Sequence, residues 1–345
     1  MPEHIQMGRY NNMLTNFGRN LEARMNAKKG VFLDLDTVDC NDLNLSNLKQ
    51  ALPHWQFHDA TSSKQTAARI RDADIVISNK VILDRESLSQ ATQLKLICVA
   101  ATGTNNVDLD AACDLGITVT NVAGYATPSV VQHVFALMLA LTTRLTDYQQ
   151  IITDGAWQQS SQFCLLNFPI QELAGKHLGI VGYGELGRAV ADVAKAFGMK
   201  ILIAQRPGGN AQTDRIPLED LLPQVDVLSL HCPLADNTKN LIGEDELALM
   251  KKGALLINTA RGGIVDEAAL AAALRSGNIG GAGVDVLIQE PPRKGNPLLE
   301  SGIPNLIITP HIAWASRESR QRLVDELVAN IQAFQRGEER NRIIK

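Results

Sequence analysis

Residues 182–187 read Gly-Tyr-Gly-Glu-Leu-Gly, a G-x-G-x-x-G turn in mid-chain. The apolar run His177-Leu-Gly-Ile-Val181 before it has the length of a strand and no turn signal inside. After it, Leu186, Ala189, Val190, Val193, Ala194 and Phe197 recur at the spacing of an amphipathic helix. A second apolar run, Lys200-Ile-Leu-Ile-Ala204, follows at once. Strand, glycine turn, helix and strand within about 30 residues form the unit in which this motif holds the pyrophosphate of a dinucleotide. Gly182 permits the tight turn, Gly184 admits close backbone approach, and Gly187 allows close helix packing. Glu185 and Leu186 open the helix, whose unpaired N–H groups and positive dipole end face the phosphates.

A chain of 345 residues has room for two such cores. Its 45% hydrophobic and 20% charged residues are ordinary for a globular protein. The net charge of −4, with no local basic patch, argues against nucleic acid and anionic membrane as partners. No stretch approaches the ~18 consecutive apolar residues of a membrane span, and the first residues lack the apolar core of a secretory signal. Five cysteines (Cys40, Cys98, Cys113, Cys164, Cys232) are scattered without a C-x-x-C pair. They read as reduced thiols of a cytoplasmic protein and offer no metal site.

Residues 1–29 form a polar extension rich in Asn and Arg. From 30 to 127, apolar runs at 31–35, 75–78, 95–100 and 117–121 read as strands separated by helical stretches. Thr127 caps a helix with Pro128 at its first position. That helix, apolar nearly all round through Leu141, requires burial at a domain junction or subunit interface. Six further runs, at 177–181, 200–204, 226–231, 254–258, 282–286 and 305–309, match a complete dinucleotide-binding sheet. The last helix, about Ser316 to Arg336 and ending at Gly337, returns to the first domain. The expected fold is therefore α/β. It has two Rossmann-like, doubly wound parallel-sheet domains with a cleft between them, and the dinucleotide domain (128–316) is inserted into a discontinuous substrate domain (30–127 and 317–345).

Ligands of open parallel sheets bind beyond the carboxyl ends of the strands. There the chain places Gln205-Arg206, His231-Cys-Pro-Leu234, Asn258-Thr-Ala-Arg-Gly-Gly263, Asp285 followed by Glu290, and Thr309-Pro-His311. A cation, two acids and a histidine thus meet on one edge. Hydride transfer with a 2-hydroxy or 2-oxo acid needs a cation for the carboxylate and carbonyl, an acid/base near neutrality, and a group that tunes it. Arg261 is a permanent bidentate cation, His311 can exchange the hydroxyl proton, and Glu290 can fix the imidazole tautomer. Structural roles remain open from the residues alone: a cap or phosphate arginine, a loop carboxylate beside Pro291-Pro292, and a satisfied histidine.

These motifs, with Asp285-Val-Leu-Ile-Gln-Glu-Pro291 and Thr309-Pro-His-Ile-Ala313, resemble the D-isomer-specific 2-hydroxyacid dehydrogenase family over residues 30–345. The resemblance implies a catalytic trio on Arg261, Glu290 and His311, cofactor contacts at His231, Pro233, Thr259 and Ala260, and a nicotinamide contact at Asp285. It also implies that backbone N–H groups near Thr102 and Gly103, in Ala101-Thr-Gly-Thr-Asn-Asn-Val-Asp108, bind the substrate carboxylate. His133 reads as a core histidine near cofactor contacts. The implied cofactor is NAD(H) or NADP(H), the partner a small 2-oxo or 2-hydroxy acid, and the assembly a homodimer across the apolar helix. Phe163-Cys-Leu-Leu-Asn-Phe-Pro169 and Glu290-Pro-Pro-Arg-Lys-Gly-Asn-Pro297 look most like glycerate dehydrogenases, also called hydroxypyruvate reductases. That subgroup implies reduction of hydroxypyruvate or glyoxylate to D-glycerate or glycolate, with Trp314 walling the substrate pocket or simply packing. D-Lactate, phosphoglycerate, or a dinucleotide-sensing corepressor-like role are alternatives on the same scaffold.

One position departs from the family pattern. The acid that binds the adenosine ribose should stand 18 residues after Gly187, where this chain has Gln205. An amide does not repel a 2′-phosphate, and Arg206 beside it attracts one, so NADPH is expected to be accepted.

Overall fold

The computed structural model describes residues 26–209 and 213–343. The extension over 1–29 therefore lies, but for its last residues, outside the described residues. The chain divides into two compact units: up to Ala126 together with Ala315 onward, and Thr127–Trp314.

The first unit carries a five-stranded parallel sheet of β1 (Lys29–Phe32), β2 (His54–Phe57), β3 (Ile75–Ser78), β4 (Leu96–Val99) and β5 (Thr118–Thr120), ordered β2-β1-β3-β4-β5. Every residue of β3 and β4 is buried, as strands covered on both faces require. β2 is the strand that the apolar pattern does not reveal. It sits at the sheet edge with residues half-buried or exposed, so no apolar run marks it. The helix Arg317–Gln335 packs in this unit through Leu323, Val324, Leu327, Val328 and Ile331. Ser316 caps it, and Arg320 holds Asp42 with two hydrogen bonds, of 2.8 and 2.7 Å.

The second unit has β6 (His177–Val181), β7 (Lys200–Ile203), β8 (Val227–Leu230), β9 (Leu255–Asn258), β10 (Gly281–Val284) and β11 (Leu306–Ile308), all parallel in the order β11-β10-β9-β8-β6-β7. A one-residue bridge, Ala204 to Ile216, extends the sheet beyond β7. It occupies the place of the third strand in the standard dinucleotide-binding order, and Pro217, which has no N–H to continue the ladder, ends it at once.

The helix Thr127–Thr142 buries Val130, Val131, Val134, Phe135, Leu137, Met138 and Leu141 within its own unit, against β9, β10 and the helix Glu185–Ala196. Its burial thus needs no partner subunit. The Thr127 hydroxyl, at the start of this helix, donates to Glu185 Oε1 at 2.5 Å. Phe197, expected on the buried helix face, is half exposed and stacks on Phe135 with centroids 5.3 Å apart. No single described helix is long and apolar enough to cross a membrane.

Candidate active site

Sheet register builds the site. Val284 of β10 pairs with Asn258 of β9 on one side and Ile308 of β11 on the other. The residues just beyond those three strand ends are therefore neighbours: Arg261 after β9, Asp285 and Glu290 after β10, His311 after β11. Gly262 brings two of these loops together, since a Cβ there would lie 2.0 Å from the Leu287 backbone. Only glycine allows that approach.

His311 Nδ1 lies 2.6 Å from Glu290 Oε2, while Glu290 Oε1 accepts the Leu287 N–H at 2.8 Å. With Nδ1 taken up by the carboxylate, Nε2 is the nitrogen left to face a substrate. His311 itself has φ +56°, a left-handed backbone that costs a non-glycine residue ~1 kcal/mol or more. The turn is held by Asp285, which is 1% exposed. Its carboxylate accepts from Ile312 N at 2.9 Å, Ala313 N at 2.9 Å and Thr309 Oγ1 at 2.5 Å, and its carbonyl accepts from His311 N at 2.8 Å. Thr309, having donated its proton, accepts from His133 Nε2 at 2.9 Å. His133 thus belongs to a polar network beneath His311, and Trp314 donates its indole N–H to the His311 carbonyl at 2.9 Å. Glu267 secures the following loop, accepting from Ile288 N and from Asn296 Nδ2, each at 2.6 Å. Motif reading did not single out Thr309 or Glu267 as site residues. Glu267 looks like an ordinary first-turn helix acid, and only the folded loop reveals its use.

Arg261 makes no ion pair with any described carboxylate, and its NH1 donates to the Ala260 carbonyl at 2.7 Å. Asn258 braces the loop, donating to the Arg261 carbonyl at 3.0 Å and accepting from Ala260 N at 3.1 Å. A cation oriented but unpaired is suited to an incoming anion.

The glycine loop has the shape a pyrophosphate needs. Gly182 has φ +94° with the His231–Cys232 backbone against its Cα, and nothing lies within 4 Å of the Cβ position of Gly184. Gly184 caps the helix Glu185–Ala196, whose first turn is Glu185, Leu186 and Gly187. Two polar atoms nearby are sealed from solvent without partners, Thr259 Oγ1 and His231 Nδ1. Burial pushes the His231 imidazole down to about 4, so it is neutral, and its Nε2 engages Ser229 Oγ at 2.8 Å. Pro233 is exposed beyond β8 and Ala260 is buried beyond β9. Orphaned groups beside an open glycine turn fit a dinucleotide that would supply their partners. Gln205 is half-buried and donates to the Gly209 carbonyl at 3.2 Å, while Arg206 is exposed.

In the first unit Thr102 and Gly103 lie on a bend after β4. The Thr102 hydroxyl is spent on the Val122 carbonyl at 2.8 Å, and Asn121 Nδ2 donates to the Thr102 carbonyl at 2.7 Å. Among the described residues, the N–H groups of Thr102 and Gly103 donate to no backbone carbonyl.

A parallel-sheet dinucleotide domain with an ionisable cluster at its strand ends has the parts that a dinucleotide-dependent oxidoreductase needs. Residues 135–313 match the model of the D-isomer specific 2-hydroxyacid dehydrogenase NAD binding domain. The chain is 46% identical over 316 residues to the glycerate dehydrogenase of Methylorubrum extorquens, covering 91% of this chain and 98% of that one. Among solved structures it resembles an acyclic imino acid reductase in complex with NADPH and D-Arg (TM-score 0.79, 28% identity, 92% of this chain and 100% of that one). It also resembles the D-lactate dehydrogenase from Aquifex aeolicus complexed with NAD and lactic acid (TM-score 0.76, 30% identity, 92% and 99%). The chain belongs to the D-isomer specific 2-hydroxyacid dehydrogenase family and is an NAD(P)-dependent oxidoreductase acting on CH–OH donors.

Proposed function

We propose that the chain reduces hydroxypyruvate or glyoxylate to D-glycerate or glycolate. The observation that carries the chemistry is the 2.6 Å contact of His311 Nδ1 with Glu290, which follows β10, the strand beside the β9 that leads to the unpaired Arg261. Arg261 holds the substrate carboxylate and polarises its carbonyl. Bound NAD(P)H supplies the hydride. His311 Nε2–H gives its proton to the carbonyl oxygen as the alcohol forms, and Glu290 holds the ring in place through the change. Asp285 serves His311 by fixing its turn and stands where the family places a nicotinamide contact. Trp314, anchored to the same turn, walls the pocket.

The substrate reading rests on the Methylorubrum glycerate dehydrogenase, whose identity spans nearly its whole length. A panel of hydroxypyruvate, glyoxylate, pyruvate and phosphohydroxypyruvate, followed by NAD(P)H absorbance, tests it. A higher kcat/KM for pyruvate or the phosphorylated acid would overturn it.

The assembly we infer is a homodimer. Leu145, Phe163, Leu166 and Ile170 are 60%, 91%, 80% and 57% exposed, large apolar side chains that a partner subunit would cover. Light scattering from the purified protein tests this, and a monomeric mass would refute it.

A further inference from the structure

The β6–β7 end of the dinucleotide sheet carries charge that the proposed reaction does not use. Tyr183, between the first two glycines, offers its ring to two guanidinium groups: Arg215 Cζ lies 5.2 Å from the centroid and Arg188 Cζ 5.9 Å. Arg188 is the fourth residue of the helix after the loop, and Arg215 adjoins the one-residue bridge beyond β7. Arg215 Nε is sealed from solvent and donates no hydrogen bond. Its nearest acid, Asp214, is 3.6 Å away on a side chain 70% exposed. Neither Arg188 nor Arg206 pairs with a described carboxylate. Like charges over one ring repel, and a buried donor without an acceptor is destabilising. An anion seated against Arg215 removes both penalties.

The backbone fixes which part of the cofactor lies there. Gln205 N donates to the Ile216 carbonyl at 2.8 Å, so the residues after β7 and those around Arg215 run side by side. Gln205 stands where an acid would receive the adenosine ribose hydroxyls. Its amide leans to the Gly209 carbonyl instead, and Asn237 pins the same turn by donating to the Pro207 carbonyl at 2.8 Å. A ribose placed there meets guanidinium groups and no carboxylate except the exposed Asp214.

We infer that Arg215, braced over Tyr183, is the residue that selects a phosphomonoester on the adenosine ribose, so that the enzyme prefers NADPH to NADH. Arg206 adds charge from the solvent side. The inference rests on the dinucleotide reading of the glycine loop and is independent of the substrate.

The test measures Kd for NADPH and NADH on the full-length protein without substrate, by calorimetry, with 2′,5′-ADP and 5′-AMP as probes of the phosphate alone. The expected wild type binds NADPH about tenfold or more tighter than NADH. Arg215→Ala is expected to weaken NADPH and 2′,5′-ADP by about tenfold or more while NADH and 5′-AMP stay within about threefold. Arg215→Gln, which keeps hydrogen-bonding capacity without charge, is expected to do the same, and serves where the alanine variant does not fold. Equal affinity of the wild type for both cofactors overturns the preference. A wild-type preference that survives both substitutions, or an equal loss of both cofactors, overturns the role of Arg215. Since no substrate enters the experiment, a failed hydroxypyruvate assay leaves these outcomes unchanged.

Discussion

Beyond β9, β10 and β11 the acids are tied down: Asp285 accepts from three groups through its carboxylate, and Glu290 accepts Leu287 N while meeting the His311 ring. Beyond β6 and β7 stand the cations Arg188, Arg206 and Arg215, stacked or exposed, with Glu185 bonded to Thr127 and Asp214 exposed, and the turn after β7 is held by single amide bonds from Gln205 and Asn237. Proton transfer to a substrate requires a donor aimed within a few tenths of an ångström, which bonded loops provide. Distinguishing two cofactors that differ by one phosphate requires charge more than aim, and a guanidinium whose described ion pair is long and solvent-exposed provides that. One sheet edge therefore supports two kinds of site.

The largest expected effect breaks the aimed end. His311→Gln should lower kcat about 10³-fold while the Kd for NAD(P)H stays within about threefold, measured by absorbance and calorimetry. Turnover near wild type would remove His311 from the chemistry. Next, Asp285→Asn sets an amide N–H against the Ile312 or Ala313 N–H, and should cost about 10²-fold in kcat and move the pH profile of kcat/KM. A loss confined to cofactor Kd would instead make Asp285 a cofactor contact alone.

His231, beyond β8, makes stability depend on pH. Its ring is neutral when folded, pushed down to about 4 from 6.5. Between those values the unfolded chain binds the extra proton, so stability falls as pH drops from 6.5 towards 4 and levels off below. The loss is at most about 3 kcal/mol. His231→Gln should flatten the decline of Tm across that window, and an unchanged slope would contradict the assignment. The smallest effect lies at the cation end: Gln205→Asp should weaken NADPH about tenfold and leave NADH nearly unchanged, read as the two Kd values.

Much of this was legible because strand ends follow apolar runs. Val181, Asn258, Val284 and Ile308 close buried or half-buried strands, and the chemistry-bearing residues sit within a few positions of each. β2 was not legible, since an edge strand needs no apolar run. The bridge at Ile216 was not legible either, because one residue has no periodicity. The left-handed backbone of His311 carries no Gly or Asn signal, and it exists through hydrogen bonds that its turn donates to Asp285, a residue 26 positions earlier in the chain. Arg215 lies in a polar stretch that reads as a loop. Its stack on Tyr183 is a contact that sequence spacing does not encode.

The carboxylate of Asp285 also works as a ruler. It grips Thr309, Ile312 and Ala313 together, so the number of residues between them is set by the reach of one side chain. An insertion or deletion of one residue in that span would rotate the imidazole away from Glu290 and release the grip at once. Loops elsewhere around the sheet can lengthen or shorten to suit a new substrate, while this five-residue turn cannot change length and still aim its proton.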